Sequence, residues 1–392
     1  MKVKKAKRKR KRKRKNRPIL RGIGCVVLEL CDNIRGPLMK NTVNNDKLLE
    51  LVRNIKEGDF SIEQTIEFPF RVGDRVTGIG AGQYIPPNKH YRGHTTNLIW
   101  EGTGDNSPLF HFPGCGIIVE KVTFVDAPIG ILLAQTRKGL GTGKMVVRDC
   151  YFDSCGVAFE AGYKMTDHNN DCVVLDHVIA DDCESLLRLR NAQAMGYSLR
   201  DCVARGSQTA DIIDVFGGGC VYADNLKVIH GKSVLRLRSR EAAGGGGGKS
   251  GIGSSNGLYT LRNIKLDEHA ECCKIVQMDD FYPVNIDVEN VQAPASPWND
   301  NPGSPMYELN GNVVITIRNS NLYKHCITWK DKKRRGPDDI PNILIDRCRF
   351  NGDDIFDVFS KDNSSGKCYF KAINCSTLSG TPIDNFSGYI EV

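Results

Sequence analysis

The stretch Leu199-Arg-Asp-Cys-Val-Ala204 returns 24 residues later as Ala223-Asp-Asn-Leu-Lys-Val228, and this recurrence decides the fold. The shared template is an apolar residue, a charged residue, Asp or Asn, a buried small or apolar residue, any residue, then an apolar one. Upstream it reads Val119-Glu-Lys-Val-Thr-Phe124, Val147-Arg-Asp-Cys-Tyr-Phe152 and Leu175-Asp-His-Val-Ile-Ala180. Downstream it continues as Leu261-Arg-Asn-Ile-Lys-Leu266, Val288-Glu-Asn-Val-Gln-Ala293, Ile317-Arg-Asn-Ser-Asn-Leu322, Ile345-Asp-Arg-Cys-Arg-Phe350 and Ala372-Ile-Asn-Cys-Ser-Thr377. First residues are spaced by 28, 28, 24, 24, 38, 27, 29, 28 and 27. A fixed period in this range is the mark of a solenoid, each copy being one coil.

Side-chain chemistry agrees with that geometry. Asp149, Asp201, Asn225, Asn263, Asn290, Asn319 and Asn374 share one position. Both residue types tolerate the left-handed backbone of a sharp corner, and stacked copies can hydrogen-bond along the axis. The next position holds Cys150, Cys202, Cys348 and Cys375 among Val122, Val178, Leu226, Ile264 and Val291, an inward stack. A second strand follows in each copy: Gly130 to Gln135, Gly156 to Ala161, Ser185 to Arg190, Asp211 to Phe216 and Ser233 to Arg238. Later members are Cys272 to Gln277, Pro305 to Asn310, His325 to Lys330 and Asp354 to Phe359. Leu187 and Leu189 alternate with Arg188 and Arg190, a period of two that excludes a helix.

These features predict an all-β chain, a right-handed parallel β-helix of about ten coils and roughly 50 Å at about 4.8 Å per coil. Residues 45–112 are expected to hold an N-terminal capping helix, Asn45 to Gly58, and irregular first coils. Residues 113–392 form the regular helix, interrupted by a Gly-rich insertion at 242–257. The C-terminal end, Thr381 to Val392, shows no evident cap. The chain resembles the pectate-lyase-like superfamily over roughly residues 45–390, through the coil repeat, the corner Asp/Asn ladder and the N-terminal helix. That resemblance implies the fold; its members include polysaccharide lyases, hydrolases, epimerases, tailspikes and adhesins. The hydrolase motifs Asn-Thr-Asp, Gly-His-Gly and Arg-Ile-Lys are absent, as is the lyase Arg-x-Pro-x-x-Arg segment.

Charge divides the chain. Residues 1–17 hold thirteen Lys or Arg and no acid, leaving 41 basic against 46 acidic side chains, a net of −5. Such a tail is expected to be disordered, with 18–44 as a linker or irregular lead-in. Residues 2–17 suit nucleic acid or another anionic surface. The segment after the tail is broken by Arg21, Glu29 and Asp32, so no clear signal peptide is read, and no run is long enough for a membrane span. Fifteen cysteines without a Cys-x-x-Cys favour buried thiols in a reducing compartment.

Substrates in the resembling superfamily usually lie on the outer face of one sheet. Aligning the second strands places Arg188, Asp214 and Arg236 at one outward position in three successive coils, with Glu160 one coil earlier and Arg190 and Arg238 two residues on. As a site, Asp214 is the candidate base, with Arg188 and Arg236 as catalytic partners and Glu160, Arg190 and Arg238 as substrate ligands. As structure, the same residues make a self-satisfying charge ladder. Asp181-Asp182, Asp279-Asp280, Asp338-Asp339 and Asp353-Asp354 are placed in turns, and Tyr163, Tyr282, Tyr307 and Trp329 are weighed as a sugar platform against local packing. No metal or other cofactor is expected, because the histidines lack ligand spacing. Two functions stay open: a polysaccharide-associating β-helix, with a divergent lyase or glycosidase as its catalytic form, or a noncatalytic structural or adhesive one, an oligomer that would be trimeric if tailspike-like.

Overall fold

The computed structural model describes residues 42–44, 46–47, 50–51, 65–70, 74–79, 83–84, 89–100, 108–112, 116–133, 144–162, 172–190, 196–216, 220–238, 257–270, 273–279, 284–294, 305–330, 340–352 and 354–392. They form a parallel β-solenoid. Eight regular turns, from Ile117 to Lys330, each give a strand to two sheets, and less regular turns lie on either side. The first sheet has seventeen strands, the second has ten, and a short third has three.

The corner explains why this sequence turns where it does. The third template residue has positive φ in all ten copies: Lys121, Asp149, His177, Asp201, Asn225, Asn263, Asn290, Asn319, Arg347 and Asn374. Asn and Asp reach this conformation cheaply, whereas Lys121, His177 and Arg347 are held there by their neighbours. The expected corner ladder exists in pieces. Asn225 donates to Asp201 at 2.5 Å and Asn290 donates to Asn263 at 2.7 Å. Asn263, Asn319 and Asn374 reach instead to Asp224, Glu289 and Asp346, each one residue before a corner.

Immediately inside the corner, Cys150, Cys202, Cys348 and Cys375 are buried as the repeat implies. The Cys150 and Cys202 thiols donate to the carbonyls of Arg148 (3.3 Å) and Arg200 (3.2 Å), two residues back across the bend. Ser320 makes the same bond to Arg318 at 2.8 Å. Burial pushes the Cys150 and Cys202 thiols up to about 12, so they are unreactive protonated fillers.

Three expectations need correction. Asp354 to Phe359 is no second-sheet strand: Ile355–Val358 is a 3-10 helix capped by Asp354, and only Phe359 bridges to Ile327. Asp181 is not in a turn; it lies in the strand Ile179–Cys183 and is buried. The C-terminal end is covered, because Phe386–Glu391 pairs antiparallel with Lys367–Ile373. That reversal ends the parallel stack, since the next coil would need a parallel strand at this edge. The basic tail, the expected lead-in 18–44 apart from the strand Thr42–Asn44, the expected cap at 45–58 apart from 46–47 and 50–51, and all but Gly257 of the insertion at 242–257 lie outside the described residues. Of the cap, Leu51 packs against the core.

Candidate functional site

The outer face of the second sheet carries one continuous register column. Leu132 is paired with Glu160, Glu160 with Arg188, Arg188 with Asp214, and Asp214 with Arg236. Arg236 then pairs with Gln277, Gln277 with Glu308, and Glu308 with Thr328. The strands Val157–Ala161, Ser185–Leu189, Asp211–Val215 and Ser233–Leu237 hold this column because their inward residues alternate with it. Leu187, Leu189, Ile213, Val215, Leu235 and Leu237 fill the core beneath.

The structure brings most of the expected residues together. Asp214 is fully buried, accepting from Arg188 Nε at 3.3 Å and from Arg238 Nε at 2.5 Å. Arg238 also reaches Asp211 at 2.8 Å, whose other oxygen accepts from Ser233 Oγ at 2.7 Å. Burial works against the charge of Arg238, but the hydrogen bond and charge of Asp214 prevail and hold it protonated. Arg236 departs from expectation. Although in register with Asp214, its guanidinium turns to Asp279 at 2.5 Å. The three side chains thus do not form one Arg–Asp–Arg contact; Arg238 takes the place expected for Arg236.

Glu160 is the outlier. Its side chain is only 3% exposed; Arg190 Nε lies 3.2 Å from one oxygen and Arg188 Nη1 lies 3.9 Å from the other. Among the described residues its Oε2 has no hydrogen-bond partner. Burial raises the Glu160 carboxyl above the usual range, and the two arginines only partly oppose this. Farther along, Glu308 accepts from Lys274 at 2.6 Å and Gln277 at 3.0 Å. Burial would raise its carboxyl too, but Lys274 brings it below the usual range.

A second column borders the first at the strand ends. Arg190, Phe216, Arg238 and Asp279 succeed one another, each bonding its backbone N–H to the strand before. The Arg190 and Arg238 guanidiniums lie 5.4 and 4.8 Å from the Phe216 ring centroid, one on each neighbouring coil. Phe216 was not singled out in the sequence, where the aromatic candidates were others. Tyr307 and Trp329 are fully buried in the core, Trp329 against Phe359, so they form no sugar platform. Tyr163 and Tyr282 lie outside the described residues.

The largest missed feature is on the first sheet. Glu67, Arg92, Glu120, Arg148, Asp176, Arg200, Asp224, Arg262, Glu289, Arg318 and Asp346 stand in register, one per strand. The charge alternates at every step. Glu120 is bonded by Arg92 and by Arg148, and lies 3.2 Å from His90 Nε2. Burial alone would raise its carboxyl, but those bonds bring it down to about 2. The charged second residue of the template was the available signal; its alternation of sign shows only when copies are stacked.

Asp181 accepts from Tyr151 Oη at 2.7 Å and from Arg205 at 3.1 Å, which ties a buried hydroxyl to a surface guanidinium. His177 with Asp176 and Asp201, and His269 with Asp267 and Glu268, bring possible ligand atoms within 4.8 Å, but on exposed turns. Comparison with known proteins returns no matching family model, curated protein or solved structure. Residue roles therefore rest on this geometry.

Proposed function

We propose that the protein associates with an acidic polysaccharide laid across the coils on the outer face of the second sheet, in the manner suggested by its likeness to pectate-lyase-like solenoids. The observation that carries this reading is the Arg190–Phe216–Arg238 column beside the Glu160–Arg188–Asp214 column. The guanidiniums held on either side of the Phe216 ring offer forked donors for a carboxylate or sulfate. Binding is favoured over turnover. Both oxygens of Asp214, the expected base, are committed to Arg188 and Arg238, so it anchors the arginines rather than taking a proton. Arg188, Arg190 and Arg238 are then ligand contacts, Glu160 positions Arg190 and Arg188 from beneath, and Arg236 acts through Asp279.

A noncatalytic structural element is the second reading. It is favoured by the first-sheet column, in which this chain satisfies alternating charges between coils without any ligand.

Affinity electrophoresis of the full chain through gels containing a uronate polymer or a neutral glucan separates the two. Binding predicts retardation by the uronate polymer alone, reduced about tenfold or more in apparent affinity by Arg190→Ala with Arg238→Ala. Equal migration of wild type and variant in both gels leaves only the structural reading.

A further inference from the structure

The C-terminal end of the solenoid holds an open pocket of about 620 Å³. One wall is the start of the 3-10 helix Ile355–Val358 with its cap Asp354; the other is the chain from Thr377 to Phe386, where the closing strand begins. Small-molecule sites span about 300–1,000 Å³, so the size suits a ligand of that class.

The lining joins an apolar corner to a row of hydroxyls. Phe356 and Phe386 meet edge to face, with ring centroids 5.0 Å apart and planes at 81°. Beside them Gly380 takes a φ of +93°, which tightens residues 377–381 into a turn. Thr377 N–H donates to the Thr381 carbonyl at 2.8 Å, and Thr381 N–H donates to the Thr377 hydroxyl at 3.0 Å. The turn sets the Thr377 and Ser379 hydroxyls 2.7 Å apart, with Thr381 Oγ1 3.5 Å from Ser379. Asn385 accepts from the Asn374 N–H at 2.9 Å through its amide oxygen, so its NH2 group is the end that can donate to a ligand.

Charge narrows the ligand. Asp354 and Asp384 both line the pocket and are exposed, and among the described residues no Lys or Arg lines it. Asp354 accepts from the Phe356 N–H at 2.9 Å, a neutral donor that leaves the carboxylate charge unbalanced. Two such carboxylates repel an acidic ligand and favour a cationic one. The hydroxyls and the amide around an apolar corner suit a sugar ring, which has an apolar C–H face and an edge that donates and accepts hydrogen bonds. A simple amine would leave the hydroxyl row unused, and a neutral sugar would leave both charges unbalanced.

We propose that this pocket binds an amino sugar in its ammonium form, the ammonium at Asp354 and Asp384 and the ring against Phe356 and Phe386. Titration of the full chain with a glucosamine trisaccharide at about pH 6, where the amine is charged, tests this by calorimetry and saturation-transfer NMR. Binding is expected with a Kd of ~0.1–1 mM. N-acetylation of the trisaccharide, which keeps the rings and removes the charge, should weaken it about tenfold or more. Asp384→Asn changes one exposed side chain without altering its shape, and should weaken binding about fivefold or more while the circular dichroism spectrum stays the same. No binding at ~10 mM trisaccharide overturns the proposal. So does binding indifferent to Asp384→Asn, equal binding of the N-acetylated or a glucose trisaccharide, or spermidine binding as tightly as the amino sugar.

Discussion

Arg347 occupies a left-handed corner with φ of 53°, at a position that Asn or Asp holds in seven of the ten copies. A long side chain pays a conformational penalty there that Asn avoids by hydrogen-bonding locally. Arg347→Asn is therefore expected to raise stability by about 0.5–1 kcal/mol, read as a shift in the urea midpoint at unchanged slope. An unchanged or lower midpoint would mean that the exposed contact of Arg347 with Asp346, 3.0 Å, outweighs the backbone term. The corner was legible in the sequence because seven Asn or Asp residues recur at one phase. His177 and Lys121 were not, since nothing in those residue types signals positive φ; only their phase in the repeat does. Glu160 was legible as a place on the strip but not as a raised carboxyl, which depends on its burial beside only partly compensating arginines.

At the level of the element, the alternating first-sheet column works as a register device. Sliding one coil past its neighbour by a full period would set arginine on arginine and acid on acid, at about 4.8 Å. Glu120 shows the strength of one rung. Its carboxyl is ordinarily near 4.5 and is lowered to about 2 in the folded protein. A depressed carboxyl stabilises the fold fully above the unfolded value, and that contribution fades as pH falls from about 4.5 through about 2. Glu120→Gln should thus cost roughly 2 kcal/mol at pH 7, with the difference from wild type vanishing near pH 2. Thermal melts at pH 7, 4 and 2.5 check this; a difference that does not shrink on acidification would place the effect in packing instead. The template named a charged second residue in nearly every copy, yet the rung pairing was illegible because it joins residues 24 to 38 apart. The second-sheet strip was misread in one detail for a related reason. Register correctly put Arg236 beside Asp214, but a long guanidinium chooses among several acids, and Asp279 captured it.

Across the described solenoid, two faces of the same stack serve different ends. The first sheet neutralises its charges between coils, while the second gathers arginines around an aromatic ring. The parallel fold was readable from the repeat because period and corner chemistry are local. The closing antiparallel strand Phe386–Glu391 was not, because its residues pair with Lys367–Ile373 outside any repeat. Hydrogen–deuterium exchange of the full chain, with and without a uronate oligosaccharide, bears most directly on the central claim. Ligand should slow exchange at Ser185–Leu189, Asp211–Val215 and Ser233–Leu237 and at the Arg190, Phe216 and Arg238 positions beside them, leaving Gly257–Leu266 unchanged. Protection confined to any other face, or none at saturating oligosaccharide, would contradict the assignment of the second sheet as the glycan-binding surface.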